Sequence, residues 1–376
     1  MMALSPWIRS RGLGRLLAQE TNISDLLQFL SDRDSAPWAN LVGFVPTTVE
    51  REAREANSAD LLLVADHRRA AVEVKLGHLM DAGQQKGYED LATDTSLYLA
   101  ALTTDRRRLE SDSTGRWRFL NLVQVFEAWA DVDDEVSRVF AGQAVLVLHD
   151  WDAQISSVFE SPDCYGGRPL SVLSEKFLAR VVTRRIESDL RDRGRLAYAG
   201  VTSGGGLPRV EARACIRDEG DDRCFIAEAR WWETKSGGEL RFGVDFDRRP
   251  GEPENEEVRR AAHELACSMD GLIDFVALKR HLEISDPRLS KLLDRKGSSR
   301  PEAKGDWEQV IRHGFAGAPL ANGKANNRVQ TRPAFYGDGA MRFQAISAID
   351  FANARGQDVT DLLDATLKYL VDGQPG

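Results

Sequence analysis

Apolar and polar positions follow two regular patterns along the chain, and these patterns predict its helices and strands. Apolar residues three or four apart favour an amphipathic helix, whereas alternation with period two, or a short apolar run between polar residues, favours a strand. In the first half of the chain we expect helices over 13–30, 79–91 and 171–194, strands over 47–52, 60–64, 70–76 and 96–102, a strand leading into a helix over 117–129, and a helix and a strand over 136–148.

The second half has a different pattern. Consecutive strand-like runs are separated by short stretches rich in glycine and aspartate, which indicates an antiparallel meander. A closing strand over 341–349 and a closing helix over 359–370 follow. The meander runs are 195–201, 207–216, 224–232 and 239–246. We therefore expect two domains: an α/β domain over 1–160, with a mixed sheet flanked by helices, and an α+β domain over 161–376.

Composition and charge agree with a two-domain globular protein. The chain has 376 residues, of which 42% are hydrophobic and 29% charged, enough for two cores. No apolar run is long enough to cross a membrane, and the N-terminus lacks the apolar core of a signal peptide. The four cysteines are widely spaced, so we expect reduced thiols and a cytoplasmic protein. A net charge of −9 argues against a surface coated for phosphate binding, but local charge decides at a site.

The segment from Ser58 to Tyr88 carries the candidate chemistry. Two strand-like runs, joined by a hairpin-length turn, place Asp60 at the start of the first and Glu73 and Lys75 on one face of the second. Two carboxylates and the backbone carbonyl of Val74 would form an oxygen-rich site suited to Mg²⁺, with Mn²⁺ as a substitute. Such an ion polarises a phosphoryl oxygen. Lys75 would position or help to activate the attacking water and offset phosphate charge.

This motif resembles the PD-(D/E)XK nuclease superfamily, through Asp60 followed by Glu73-Val74-Lys75. Residues 85–88, Gln-Lys-Gly-Tyr, look like the QxxY motif of its RecB-like branch. The resemblance covers residues ~15–130 and implies a restriction-endonuclease-like fold. It also implies that Asp60 and Glu73 bind metal, that Lys75 is catalytic, and that Gln85 and Tyr88 steady the site or the DNA backbone. Residue 59 is alanine rather than the proline of the family motif, but that proline carries no chemistry.

Several of these residues also have a simpler interpretation. Glu73 and Lys75 would then form a solvated strand face, with Asp60 a turn residue and Tyr88 a core aromatic with a wet hydroxyl. The superfamily often adds a carboxylate from its first helix, for which Glu20 and Asp25 are the candidates, and we place Asp25 in the metal site. Because they are five positions apart, the two do not share a helix face. Capping and solvation are the alternative for both.

Basic residues elsewhere are candidate nucleic-acid contacts. Arg106 and Arg107 follow a predicted strand, where they would meet phosphates or simply begin a solvated helix. Around 271–300, a helix, a turn and a second helix over 288–295 weakly resemble a helix-turn-helix, with Arg288 and Lys291 on its second helix. Residues 271–332 hold twelve lysines and arginines against seven acidic residues, which suits phosphate contact. An ordinary pair of helices is the alternative.

The sequence thus predicts a Mg²⁺-dependent endonuclease that hydrolyses phosphodiester bonds of nucleic acid, with DNA as the expected substrate and bacterial defence as the expected role. Two alternatives stay open. The chain would be a catalytically silent nucleic-acid-binding protein, or residues 171–376 would form a sensor or partner-docking domain. We expect no membrane association, and a homodimer or a partner protein would be bound through the C-terminal domain.

Overall fold

The structure is a computed structural model, and the chain forms two compact units. The first contains residues 1–157 and 177–181, and the second contains 158–176 and 182–376. The sequence placed this division between 160 and 161. The residues that the structure describes are 11–53, 58–76, 82–91, 94–106, 115–202, 206–216, 223–232, 237–246, 256, 260, 264, 267–269, 271–295 and 341–373.

A five-stranded mixed sheet forms the centre of the first unit. Its strands, in spatial order, are β1 (Thr48–Glu50), β2 (Leu61–Ala65), β3 (Arg68–Lys75), β4 (Thr95–Ala101) and β5 (Trp117–Asn121). The pairs β1–β2 and β2–β3 are antiparallel, whereas β3–β4 and β4–β5 are parallel. The two parallel pairs explain the nearly continuous apolar sequence of β4, because strands of parallel sheets are buried on both faces.

The predicted first helix is two helices, α1 (Arg11–Leu17) and α2 (Glu20–Arg33). In the structure α2 begins at Glu20, and the Asn22 side chain donates to the carbonyl of Leu16 at 2.9 Å. Asn22 therefore satisfies a carbonyl in the last turn of α1, one of the groups that a helix end leaves without an internal partner. This break places Glu20 in the first turn of α2.

The other helices with described bounds in the first unit are α3 (Trp38–Val42), α4 (Ala82–Glu89), α5 (Leu122–Ala130) and α6 (Glu135–Ser157). Trp38 of α3 and Trp129 of α5 pack edge to face, with ring centroids 5.2 Å apart. The prediction of a helix and a strand over 136–148 was wrong, because α6 runs through the whole segment. Its apolar residues lie all round the helix, and periodicity alone does not distinguish such a run from a buried strand.

The second unit is built on a six-stranded antiparallel sheet, which confirms the predicted meander. Its strands are β6 (Leu196–Val201), β7 (Pro208–Cys215), β8 (Arg223–Trp231), β9 (Gly237–Phe246), β10 (Leu293–Arg295) and β11 (Met341–Asp350), in the spatial order β10-β11-β9-β8-β7-β6. One face carries buried apolar residues such as Val210 and Phe242. On the other face Arg209 bonds Glu228 across the strands at 3.0 Å, so buried carboxylates there are paired, as burial requires.

Four helices complete the two units as described: α7 (Lys176–Asp192), α8 (Phe275–Ser285), α9 (Pro287–Lys291) and α10 (Gly356–Asp372). Residues 177–181 of α7 group with the first unit. The predicted second helix over 288–295 is shorter than expected, because Leu293 begins β10 and pairs with Ile349 of β11. Leu292 and Leu293 are buried, so burial and strand pairing end the helix before these residues.

The chain is therefore of the mixed α/β type, with a mixed five-stranded sheet in one unit and an antiparallel sheet with helices in the other. None of the helices in the described part of the chain is long and apolar enough to cross a membrane.

Candidate active site

Asp60 and Glu73 lie opposite each other on neighbouring strands. Leu61 of β2 pairs with Val72 of β3, and this antiparallel register, extended by one residue, places Asp60 opposite Glu73. The two-residue turn at Asp66 and His67 sets the register. Asp60 Oδ2 accepts a hydrogen bond from the backbone N–H of Val74 at 2.8 Å. This bond fixes the carboxylate, one residue before β2 begins, to β3.

Glu73 is a buried carboxylate with a partner on each oxygen. Only 3% of the residue is exposed. The hydroxyl of Tyr88 donates to Oε2 at 2.5 Å, and the ammonium of Lys75 lies 2.5 Å from Oε1. A buried charge is tolerated when it is both paired and hydrogen-bonded. The simpler alternative, in which Glu73 and Lys75 form a solvated strand face, does not describe the structure, since Glu73 is buried and the Lys75 side chain is only 12% exposed.

Glu20 supplies the third carboxylate of the cluster. Its Oε1 accepts from the backbone N–H of Leu76 at 2.5 Å, and its Oε2 lies 3.8 Å from Lys75 Nζ. Asp25, which the sequence placed in the metal site, instead forms an ion pair with Arg51 and is largely exposed. The reason is geometric: residues five apart on a helix point about 140° apart, so α2 turns only one of the two carboxylates towards the end of β3.

Burial and like charges change the acidity of this cluster. Burial, followed by the negative charge of Glu73, raises the pKa of Asp60 from its ordinary value to about 6. The hydrogen bond from Val74 opposes this increase. Burial lowers the pKa of Lys75, but the charge of Glu73 and its hydrogen bond outweigh burial, so the pKa of Lys75 is raised above its usual range. Lys75 is thus an ammonium at neutral pH.

The two residues of the QxxY motif have different partners. Tyr88 is buried and donates to Glu73, while its ring packs edge to face on Trp117 at 5.7 Å. Gln85 was predicted to join the same cluster. Its side-chain amide instead donates to Glu89 Oε1, one turn further along α4, at 2.9 Å, because residues four apart are neighbours on a helix surface.

Arg116 is a residue at the site that sequence reasoning missed. It precedes Trp117 and donates to the backbone carbonyls of Glu89 and Leu91 at the end of α4. Arginine is suited to this task because its planar fork satisfies several carbonyls that a helix end leaves without partners. Arg116 and Trp117 together hold the helix that carries Tyr88. The sequence offers no signal for this contact, since Arg116 is 27 positions from Glu89.

A second polar cluster was also missed and lies where β4 and β5 end. Asp152 of α6 accepts from the backbone N–H of Thr103, and the burial of Asp152 raises the pKa of its carboxyl. Asn121 donates to Thr103 Oγ1 at 2.7 Å and caps α5 by accepting from Val123 N–H. In register, Lys75, Ala101 and Asn121 lie side by side across the parallel strands. This cluster therefore fixes the carboxyl edge of the sheet beside Lys75.

The predicted nucleic-acid contacts that the structure describes differ in their surroundings. Arg106 is exposed after β4, and Arg107 lies outside the described residues. Lys291 is exposed at the end of α9. Arg288 does not present a free positive charge, because its guanidinium forms ion pairs with Asp358 and Asp361 of α10. Phosphate binding by Arg288 stays a prediction, and α9, with five residues, is shorter than the second helix that the sequence predicted.

The oxygen atoms at this site are of the chemical type that a hard cation such as Mg²⁺ prefers. Mg²⁺ keeps several waters and is bound through one or two carboxylates, as Asp60 and Glu73 would provide. The N–H and C=O of one residue in an extended strand point to the same side, so the Val74 carbonyl is expected on the same side of β3 as its N–H, which bonds Asp60. In the described part of the chain, no three His, Cys, Asp or Glu side chains are grouped so as to hold a metal ion by themselves. The fit therefore depends on two carboxylates and a carbonyl.

Comparison of the chain with protein-family models, curated proteins and solved structures gives no match. The functional proposal that follows therefore depends on the geometry of the Asp60–Glu73–Lys75 cluster and on the motif resemblance.

Proposed function

We propose that this protein is a metal-dependent nuclease that hydrolyses phosphodiester bonds of nucleic acid, with DNA as the preferred substrate and Mg²⁺ or Mn²⁺ as the cofactor. The observation that carries the proposal is the pairing of Asp60 opposite Glu73, with Lys75 bound to Glu73, at one edge of the first unit's sheet. The resemblance to PD-(D/E)XK nucleases and the mixed sheet flanked by helices support it.

Asp60, Glu73 and the carbonyl of Val74 would hold the metal ion. When bound, the ion supplies Lewis-acid polarisation of a phosphoryl oxygen and makes a water more acidic. The raised pKa of Asp60 fits this role, because burial next to Glu73 makes the carboxylate pair costly without a cation.

Lys75 acts as a positioning cation in this proposal. Its raised pKa keeps the side chain protonated at neutral pH, so it neutralises phosphate charge and orients the attacking water rather than removing a proton from it. A phosphate at this edge of the sheet would compete with Glu73 and Glu20 for the ammonium, since hydrogen bonds between ionised groups are the stronger ones.

Tyr88 and Glu20 orient these groups. The Tyr88 hydroxyl restricts Glu73 to one rotamer by binding Oε2. Glu20 binds the backbone N–H of Leu76 and attracts the ammonium of Lys75. Pre-oriented side chains matter because a small displacement of a catalytic group lowers the rate strongly.

The test uses the full chain with plasmid, linear duplex DNA, single-stranded DNA and RNA, in Mg²⁺, Mn²⁺ or EDTA. We expect cleavage with a divalent ion and none in EDTA. Asp60→Ala and Lys75→Ala should abolish cleavage and keep the fold, checked by circular dichroism. Asp66→Asn and Lys86→Ala, which change an exposed aspartate of the β2–β3 turn and an exposed lysine of α4, serve as matched controls. Cleavage by either active-site variant at the wild-type rate would reject the proposal.

The second candidate is a protein that binds nucleic acid without cleaving it. The observation in its favour is that Lys75 already neutralises Glu73 and that no three metal-binding side chains are grouped in the described residues. It predicts equal binding in Mg²⁺ and EDTA and no products with any substrate. An electrophoretic mobility assay with the same four substrates separates the two candidates.

A further inference from the structure

Helix α6 is apolar on the side that faces solvent as well as on the side that faces the core. Between Val136 and Leu148 only Ser137, Arg138 and Gln143 are polar. Its core-facing positions, which include Ala141, Ala144 and Leu148, are fully buried. A helix that is hydrophobic all round is normally buried all round, so the outer face of α6 calls for a physical explanation.

The outer face contains large side chains that stay exposed. Residues two positions apart point about 160° apart on a helix, so Val139 lies opposite Ala141, and Leu146 lies opposite Ala144. Phe140 contacts Phe29 of α2 edge to face, with ring centroids 5.9 Å apart. The exposed apolar residues of this face are Val136 (39%), Val139 (54%), Phe140 (46%), Leu146 (40%) and Phe29 (39%).

Gly142 is a second, independent observation on the same face. It lies in the middle of α6, one turn from both Val139 and Leu146, where glycine weakens a helix relative to alanine. A Cβ built at Gly142 would meet nothing within 4 Å. Packing within the chain therefore gives no reason for glycine here, whereas a second backbone approaching this point closely would require a residue without a side chain.

We propose that the outer face of α6 binds α6 of a second copy of this chain, in an antiparallel, two-fold symmetric contact. A two-fold contact uses one patch twice, so the patch must be complementary to itself. With the two-fold axis at the level of Ala141 along the helix, but on its outer side, the antiparallel register places Val136 of one copy opposite Leu146 of the other. It also brings Glu135 near His149 of the other copy and sets the two helix dipoles in opposite directions.

The size of the patch suits a dimer. With about 150–200 Å² for a fully exposed side chain of these types, the five apolar residues present roughly 400 Å² per copy, within the range of functional patches on monomers. A standard stable interface buries about 800 Å² per partner, half or more of it apolar. The five apolar residues therefore match the apolar half of such an interface. The other half is left to the polar rim, where Arg33 lies over the Phe29 ring and pairs with Asp134.

The proposal does not depend on the nuclease assignment, and sedimentation velocity on the full chain tests it. We expect a dimer at roughly 0.1 mM, a concentration at which a micromolar complex is almost fully formed. Val139→Asp should raise the dissociation constant about 100-fold or more, because the substitution buries two charges per dimer. Val45→Asp, at another exposed valine of the same unit (46%, against 54% for Val139), should leave the dissociation constant within about twofold, as expected for a site outside the interface.

Gly142→Ala provides a test in which a weaker dimer cannot be explained by unfolding of the monomer. Alanine is the better helix former and has open space in the monomer, so the thermal midpoint of the dilute protein should rise. The same methyl group should weaken the dimer about tenfold, if two backbones meet there. A wild-type monomer at 0.1 mM, an unchanged dissociation constant in Val139→Asp or Gly142→Ala, or equal dissociation by Val45→Asp would each overturn the proposal.

Discussion

The substitution Asp60→Asn separates the stability of the fold from the function of the site. Asparagine keeps the size of the side chain and an oxygen that accepts from the backbone N–H of Val74, as Asp60 Oδ2 does at 2.8 Å. What it removes is a negative charge that burial and Glu73 disfavour. We therefore expect the variant to be more stable than the wild type at neutral pH, although it loses metal-dependent cleavage.

The magnitude follows from the pKa of Asp60. The value rises from 3.8 to about 6 on folding, and a shift of about two units corresponds to ~3 kcal/mol of free energy. For an acid with a raised pKa, the folded state binds the proton more tightly than the unfolded state. This contribution to stability is fully present below pH 3.8 and is lost as the pH rises through 6. Asp60→Asn should thus match the wild type near pH 4 and exceed its stability by ~3 kcal/mol near pH 8.

Native-state hydrogen exchange of the β3 amides, in EDTA and over this pH range, measures the unfolding of the first unit separately. Mg²⁺ added near pH 8 should stabilise the wild type, as any ligand of the folded state does, but not Asp60→Asn. Asp66→Asn, at an exposed turn position, should match the wild type both in the pH dependence of its stability and in its stabilisation by Mg²⁺. A difference between variant and wild type that is independent of pH, or a less stable variant near pH 8, would refute the reasoning.

Three further predictions concern neighbouring groups. Tyr88→Phe should cost about 1–3 kcal/mol in unfolding free energy, because it removes the hydrogen bond that the hydroxyl donates to Oε2 of the buried Glu73 carboxylate. It should also lower the cleavage rate; urea unfolding measures the stability and initial rates measure the cleavage. Glu20→Gln should slow cleavage, whereas Asp25→Asn should not, since only Glu20 lies beside Lys75; equal rates would contradict this. Arg288→Ala should lower the thermal midpoint of the second unit without changing DNA affinity in a mobility assay, because its partners are carboxylates.

The sequence by itself determined the features that depend on short stretches of chain. Two apolar runs and a two-residue turn define the β2–β3 hairpin, and its register places Asp60 opposite Glu73 without help from the rest of the fold. The antiparallel meander of the second unit is local for the same reason, since each strand pairs with the next one. Pairing between consecutive strands can be predicted from one sequence because the two apolar patterns and the turn between them are close together along the chain.

Only the tertiary structure decided which side chains meet across distant segments. Glu20 and Asp25 have similar local sequence signals, and the docking of α2 selects Glu20. Gln85 looked equivalent to Tyr88, yet its amide turns to Glu89 on its own helix. The sequence indicated that Arg288 is available to bind phosphate, but in the structure its guanidinium pairs with a carboxylate of α10. The charge state of Asp60 likewise follows from burial, which depends on the packing of the whole unit and which no pattern along a single segment specifies.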